Sequence, residues 1–227
     1  MKPGQRDIVI TIDGPAGAGK STVAAELARR LGFTLIDTGA LYRGLAWAVQ
    51  EAGVALEEGP ALAALLDRTS VRLDGARVLV DGRDVSAEIR APAISRLTSR
   101  LTTLGMVRDK MTPIHRSLAA PGAAVLEGRD TGSVVWPEAE VKFYLDADLD
   151  TRARRRHDEL AARGVDTALE TVRDDIARRD RQDMERALAP LVKPEGAVVV
   201  DTTGLGIAEV VDTLLRVVEP ARCCTRS

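Results

Sequence analysis

The run Gly14-Pro15-Ala16-Gly17-Ala18-Gly19-Lys20-Ser21 constrains this chain more than any other stretch. Its spacing, G-x-x-x-x-G-K-S, is that of a phosphate-binding loop, a pattern that carries weight only between a strand and a helix. Both flanks comply. Ile8-Val9-Ile10-Thr11-Ile12 is a β-branched apolar run ending at Asp13, and Val23, Leu27 and Leu31 recur every four residues before Gly32. Glycines let successive N–H groups turn toward an anion, and a helix start adds its dipole and orphan donors. A nucleoside triphosphate is therefore expected on Gly14 to Gly19, Lys20, Ser21 and Thr22. Lys20 is expected to reach the β- and γ-phosphates, and the Ser21 hydroxyl to meet Mg²⁺, largely through water.

The remaining segments alternate in a way that suits an α/β fold. Phe33-Thr34-Leu35-Ile36, Ala123-Ala124-Val125-Leu126-Glu127, Val141-Lys142-Phe143-Tyr144-Leu145 and Ala197-Val198-Val199-Val200-Asp201 read as further strands separated by helical stretches. That order predicts a five-stranded parallel sheet with helices on both faces and ligands beyond the carboxyl ends of the strands. Asp13, Asp37, Glu127 with Asp130, and Asp146 all fall at those ends. One segment breaks the alternation. Val71-Arg72-Leu73 and Val78-Leu79-Val80 flank Asp74-Gly75-Ala76, and Asp81-Gly82-Arg83 follows, which predicts a small hairpin or three-stranded flap. The expected division is a core of about 7–60, 105–150 and 188–218, an insertion at 61–104, a helical lid at 151–187 and a disordered tail at 219–227.

Composition narrows the partners. With 227 residues, 45 % of them hydrophobic, the chain can bury a full core, and its net charge of −2 calls for neither nucleic acid nor an anionic membrane. The absence of an apolar run near ~20 residues, and two adjacent cysteines, Cys223 and Cys224, point to a soluble cytoplasmic protein, and a monomer is expected. There are 27 arginines against five lysines. Base composition accounts for most of that excess, but guanidinium groups also grip phosphate bidentately. Arg152, Arg155 and Arg156 share one helical face, and Arg179, Asp183 and Arg186 share another at i, i+4, i+7. Solvated faces laced with helix salt bridges would look the same. Next to a triphosphate loop, two such helices also describe a lid that brings cations to a phosphoryl group. His115 and His157 have no partner at ligand spacing and read as ordinary surface or helix residues. Among the aromatics, only Tyr42, beside Arg43, is a candidate for more than packing.

Taken in order, these motifs resemble bacterial cytidylate kinase, the (d)CMP kinase of the nucleoside monophosphate kinase group. The resemblance is carried by Ile12 to Lys20, Asp37-Thr38-Gly39-Ala40-Leu41-Tyr42-Arg43, Asp84-Val85-Ser86 with Ile89-Arg90, Ser99 and Val107-Arg108. It continues through Glu127-Gly128-Arg129-Asp130-Thr131-Gly132, Leu145-Asp146-Ala147 and Ala189-Pro190-Leu191, and spans about residues 7–217. It implies the P-loop NMP-kinase fold with an NMP-binding insertion and a mobile lid, ATP with Mg²⁺ as donor, and CMP or dCMP as acceptor. Ser99, Arg108 and Asp130 match residues that read cytosine. Arg43, Arg129 and Arg186 match those that hold the monophosphate. Arg179 and Asp183 match sugar contacts, with Thr38 and Tyr42 lining the same pocket. Arg155 falls on the ATP side with Arg152 and Arg156, and charge in flight is assigned to Lys20, Arg129, Arg186, Arg152 and Arg156. Thr38 stands where many members have serine, and Glu127 where aspartate is common. The rival reading is a P-loop kinase for another small acceptor, such as shikimate.

Overall fold

The computed structural model describes residues 7–223. Five strands form one sheet: β1 (Val9–Asp13), β2 (Thr34–Asp37), β6 (Ala124–Glu127), β7 (Val141–Asp146) and β8 (Val198–Asp201), in the order β2-β6-β1-β7-β8. The β1–β6, β1–β7 and β7–β8 pairs are all parallel. Every residue of β1 is buried, as befits a central strand covered on both faces, which explains its mostly apolar, β-branched sequence. Register does the positioning. Ile12 pairs with Glu127, Asp13 with Tyr144 and Asp146 with Asp201, so the polar strand ends lie side by side along one edge of the sheet.

Helix α1 (Lys20–Leu31) follows the glycine loop and stops at Gly32, whose left-handed backbone closes the helix onto Ala28 and Arg29. Its apolar stripe of Val23, Ala24 and Leu27 packs with Ile8, Ile10, Ile12, Phe143 and the last helix into one core. That last helix, α8, runs Ile207–Cys223, beyond Val218 where the sequence reading ended it. The extension has a tertiary cause: the Arg222 guanidinium lies 4.8 Å from the centre of the Phe33 ring, and Arg222 is only 7 % exposed. The tail expected at 219–227 is therefore helical through Cys223, and Cys224 lies outside the described residues.

The chain divides into two compact units, one made of residues up to Leu35 and from Ala119 onward, the other of Ile36–Leu118. The second unit is wider than the insertion expected at 61–104. It holds α2 (Thr38–Glu51), α3 (Pro60–Arg68), α4 (Pro92–Leu101) and α5 (Gly105–Ala119), together with β3 (Val71–Asp74), β4 (Arg77–Val80) and β5 (Arg83–Asp84). These three strands form an antiparallel sheet joined by two-residue turns. At Asp81-Gly82 both φ angles are positive (50° and 85°), the geometry that matches the twist of a tight hairpin. Helix α3 starts at Pro60, because proline suits the first helical position.

Helix α2 lies directly on this sheet. A Cβ on Gly44 would sit 2.9 Å from Val78 Cγ1 and within 3.3 Å of Val71 and Val80. Gly44→Ala is accordingly expected to cost about 1–3 kcal/mol through overpacking. Urea midpoints would show it; an unchanged midpoint would mean that the helix can back away freely.

Candidate active site

The glycine loop runs from the end of β1 into α1. Gly14 has φ 146°, and a Cβ there would stand 2.0 Å from the Leu145 carbonyl oxygen, so only glycine can pass over the end of β7. No side chain caps α1, leaving its first N–H groups to an anion. Lys20 is buried, donates from Nζ to the Pro15 carbonyl at 2.7 Å and lies 4.0 Å from Glu127 Oε1. Burial lowers its pKa to about 7, with the Arg129 charge pushing the same way and Glu127 opposing. Ser21 and Thr22 are exposed at the helix start.

Asp13, the last residue of β1, is fully buried and organises a second segment. Its carboxylate accepts from the Thr131 N–H and hydroxyl, both at 2.8 Å, and from the Gly132 N–H at 2.7 Å. These are the first residues of a single π-helical turn, Thr131–Val135, that opens directly after Arg129 and Asp130. Burial raises the Asp13 pKa despite the amide hydrogen bonds that favour its ionised form.

Helices α6 (Leu149–Ala161) and α7 (Leu169–Glu185) carry the arginine-rich faces. Asp183 is their electrostatic hub. It takes Arg129 Nε at 3.1 Å, has Arg186 Nη1 at 3.6 Å and Arg179 Nε at 4.0 Å, and Arg186 Nη2 lies 3.5 Å from Asp130. Asp130, Asp183 and Arg186 are all buried. Three guanidinium groups thus gather around two carboxylates. The structure brings together Arg129, Asp130, Arg179, Asp183 and Arg186.

The 36–118 unit holds the other expected contacts. Asp37 caps α2 by accepting from the Ala40 N–H at 2.7 Å, and its second oxygen accepts from Arg43 Nη2 at 3.3 Å. Thr38 is buried in the first turn of α2. Ser99 and Arg108 are both buried, and Thr102 links them: its hydroxyl donates to the Ser99 carbonyl, and its own carbonyl accepts from Arg108 Nε at 2.8 Å. The Tyr42 ring meets His115 edge to face at 5.2 Å, and His115 is fully buried, not a surface residue.

The arginines of α6 are committed to protein groups. Arg155 donates to the Thr202 hydroxyl at 2.9 Å and carbonyl at 2.7 Å, and Arg156 pairs with Glu159 on the exposed side. Arg152 is buried against Asp180, Ala147 and Ala16. Two residues here escaped the sequence reading. Asp180 is absent from the i, i+4, i+7 set that drew attention to α7, and Thr202 is the first of two threonines after β8. Thr202 had a faint signal, since it directly follows a strand's carboxyl end.

The cytidylate kinase family model matches residues 10–220. The chain belongs to that family. Relatives named cytidylate kinase include one from Symbiobacterium thermophilum, 47 % identical over 95 % of this chain and 98 % of its own length. Another, from Geobacter sulfurreducens, is 46 % identical over 95 % of this chain and 94 % of its own. Among solved structures, a Thermus thermophilus protein superposes with TM-score 0.53 at 22 % identity, covering 95 % of this chain and 98 % of that one. A gluconokinase from Sinorhizobium meliloti gives 0.53 at 14 %, covering 96 % and 95 %. At such identities these two share the α/β P-loop kinase fold with a cytidylate kinase, and no more.

Within this cytidylate kinase family member, the depressed Lys20 pKa makes stability depend on pH. The folded chain binds fewer protons than the unfolded chain between about pH 7 and the ordinary lysine value of 10.5, so stability rises with pH across that window. Between pH 7 and pH 9 the unmodified chain is expected to gain about 2 kcal/mol more than Lys20→Met. Urea unfolding at both pH values measures the difference, and parallel gains would contradict a buried, depressed lysine.

Proposed function

We propose that this protein transfers the terminal phosphoryl group of ATP to CMP and dCMP, giving the nucleoside diphosphate and ADP. The observation that carries the reading is the cluster of Arg129, Arg179 and Arg186 around the buried Asp183 and Asp130, in which the Arg129 and Arg179 charges act on Lys20. A switch protein that only binds nucleotide has no use for an acceptor-side cluster of that kind. Family membership supports the same conclusion.

Roles follow from charge and placement. Lys20 and the loop amides hold the donor, which restores the lysine's positive charge on binding. Arg43, Arg129 and Arg186 hold the acceptor phosphate, while Arg179 and Asp183 face its sugar with Thr38 and Tyr42 nearby in role. Asp130 accepts from the cytosine amino group, where uracil would offer another acceptor, and Arg108 and Ser99 satisfy the ring acceptors. Because the acceptor oxygen is already anionic, it attacks the terminal phosphorus without a strong base, and the bond to the departing ADP oxygen breaks in line. Among the described residues no three His, Cys, Asp or Glu side chains form a metal cage. Mg²⁺ would therefore be held by phosphate oxygens, water and the exposed Ser21 hydroxyl, supplying neutralisation of phosphate charge. We place the enzyme in the cytoplasm as a monomer; no helix among the described residues is long and apolar enough to cross a membrane.

A coupled ADP-release assay with CMP, dCMP, UMP, AMP and shikimate tests the proposal, with the two cytidine nucleotides turning over fastest. Turnover of AMP, UMP or shikimate above CMP would remove the assignment. Asp130→Ala should lower kcat/KM for CMP by about 10- to 100-fold and narrow the CMP-to-UMP ratio, as loss of a base-reading pair does.

A further inference from the structure

Ala16, at the tip of the phosphate loop, has both main-chain groups held by side chains. Its N–H donates to Asp180 Oδ1 at 3.0 Å, and its carbonyl accepts from Arg152 Nη1 at 3.0 Å. Those two side chains are ion-paired with each other, and Arg152 Nε donates to the Ala147 carbonyl at 2.9 Å. Arg152 is 8 % exposed and Asp180 6 %. The Ala16 methyl completes an apolar cluster of Ala153, Leu160, Val172 and Ile176 from α6 and α7. Beside it, a Cβ on Gly17 would lie 2.9 Å from Arg152 Cβ, so the loop rests directly on α6.

Peptide geometry gives this contact a function. In a trans peptide the C=O and N–H point in opposite directions. Drawing the Ala16 carbonyl toward Arg152 therefore turns the Gly17 N–H the other way, and Lys20 on the Pro15 carbonyl fixes the preceding peptide in the opposite sense. A carbonyl free to swing would repel phosphate where an amide should attract it. Asp180 also follows Arg179 on α7 and precedes Asp183 by less than a turn. One helix thus carries acceptor-side groups and a bond to the donor loop.

We propose that the buried Arg152–Asp180 pair is a positioning clamp that passes the placement of α7 to the Ala16–Gly17 peptide, with Arg152 touching neither nucleotide. This rests on the CMP kinase reading given above, and it changes the role of Arg152 from one in charge stabilisation to one in loop geometry. Asp180 is a positioning residue, acting through Ala16.

The test compares Asp180→Ala, Asp180→Asn and Arg152→Met with the unmodified enzyme. The clamp predicts that Asp180→Ala and Arg152→Met each raise KM for ATP by about tenfold while KM for CMP moves less than about threefold. Asp180→Asn retains an acceptor for the Ala16 N–H and should recover part of that loss even if the alanine variant folds poorly. The double variant should be no worse than either single one, because the pair acts as a unit. Unchanged KM for ATP in folded Asp180→Asn and Arg152→Met would overturn the clamp. So would an Arg152→Met enzyme with lower kcat, unchanged KM for ATP and no matching effect at Asp180, since that marks a phosphoryl contact. An unmodified chain that fails to phosphorylate CMP would instead refute the functional reading.

Discussion

A loop that offers its amides to an anion must dispose of its carbonyls. Here that constraint is met one group at a time. The Pro15 oxygen accepts from Lys20, the Ala16 oxygen from Arg152 and the Gly19 oxygen from Val23 as the first bond of α1, and the Thr202 hydroxyl stands 3.3 Å from the Ala18 oxygen. Each of these partners comes from an element that does something else as well. The loop is thus a product of α1, α6 and the segment after β8, not only of the eight residues that name it.

The charge distribution obeys a second constraint. Burying an unbalanced set of guanidinium groups is costly unless a counter-ion is part of the design. Asp183 and Asp130 face these arginines, and Lys20, on which their charges act, is pushed toward its neutral form, chiefly by burial and then by Arg129. On the reading proposed above, a bound phosphate adds negative charge beside Lys20, Arg129 and Arg179, whose charges already act on one another.

Much of this was readable beforehand, for local reasons. Strands announced themselves as β-branched runs, the flap through Asp-Gly turns that need positive φ, and the shared face of Arg179, Asp183 and Arg186 through spacing alone. Asp180 was not legible, because its importance depends on where the tip of a distant loop comes to rest. The same holds for the end of α8, whose last turn is held by an aromatic ring nearly two hundred positions earlier in the chain. His115 was half legible: a helical residue was foreseeable, its burial against Tyr42 was not. The arginines of α6 show the limit most clearly, since a shared face was evident but the partners that Arg155 and Arg152 take up belong to other elements.

Asp13 and Gly14 are neighbours in the chain, yet one anchors the turn that follows Arg129 and Asp130 while the other opens the donor loop. The glycine loop is thus tied to the end of β1 by a peptide bond and the π-helical turn by three hydrogen bonds to one carboxylate. A shift of that strand end would carry both segments with it.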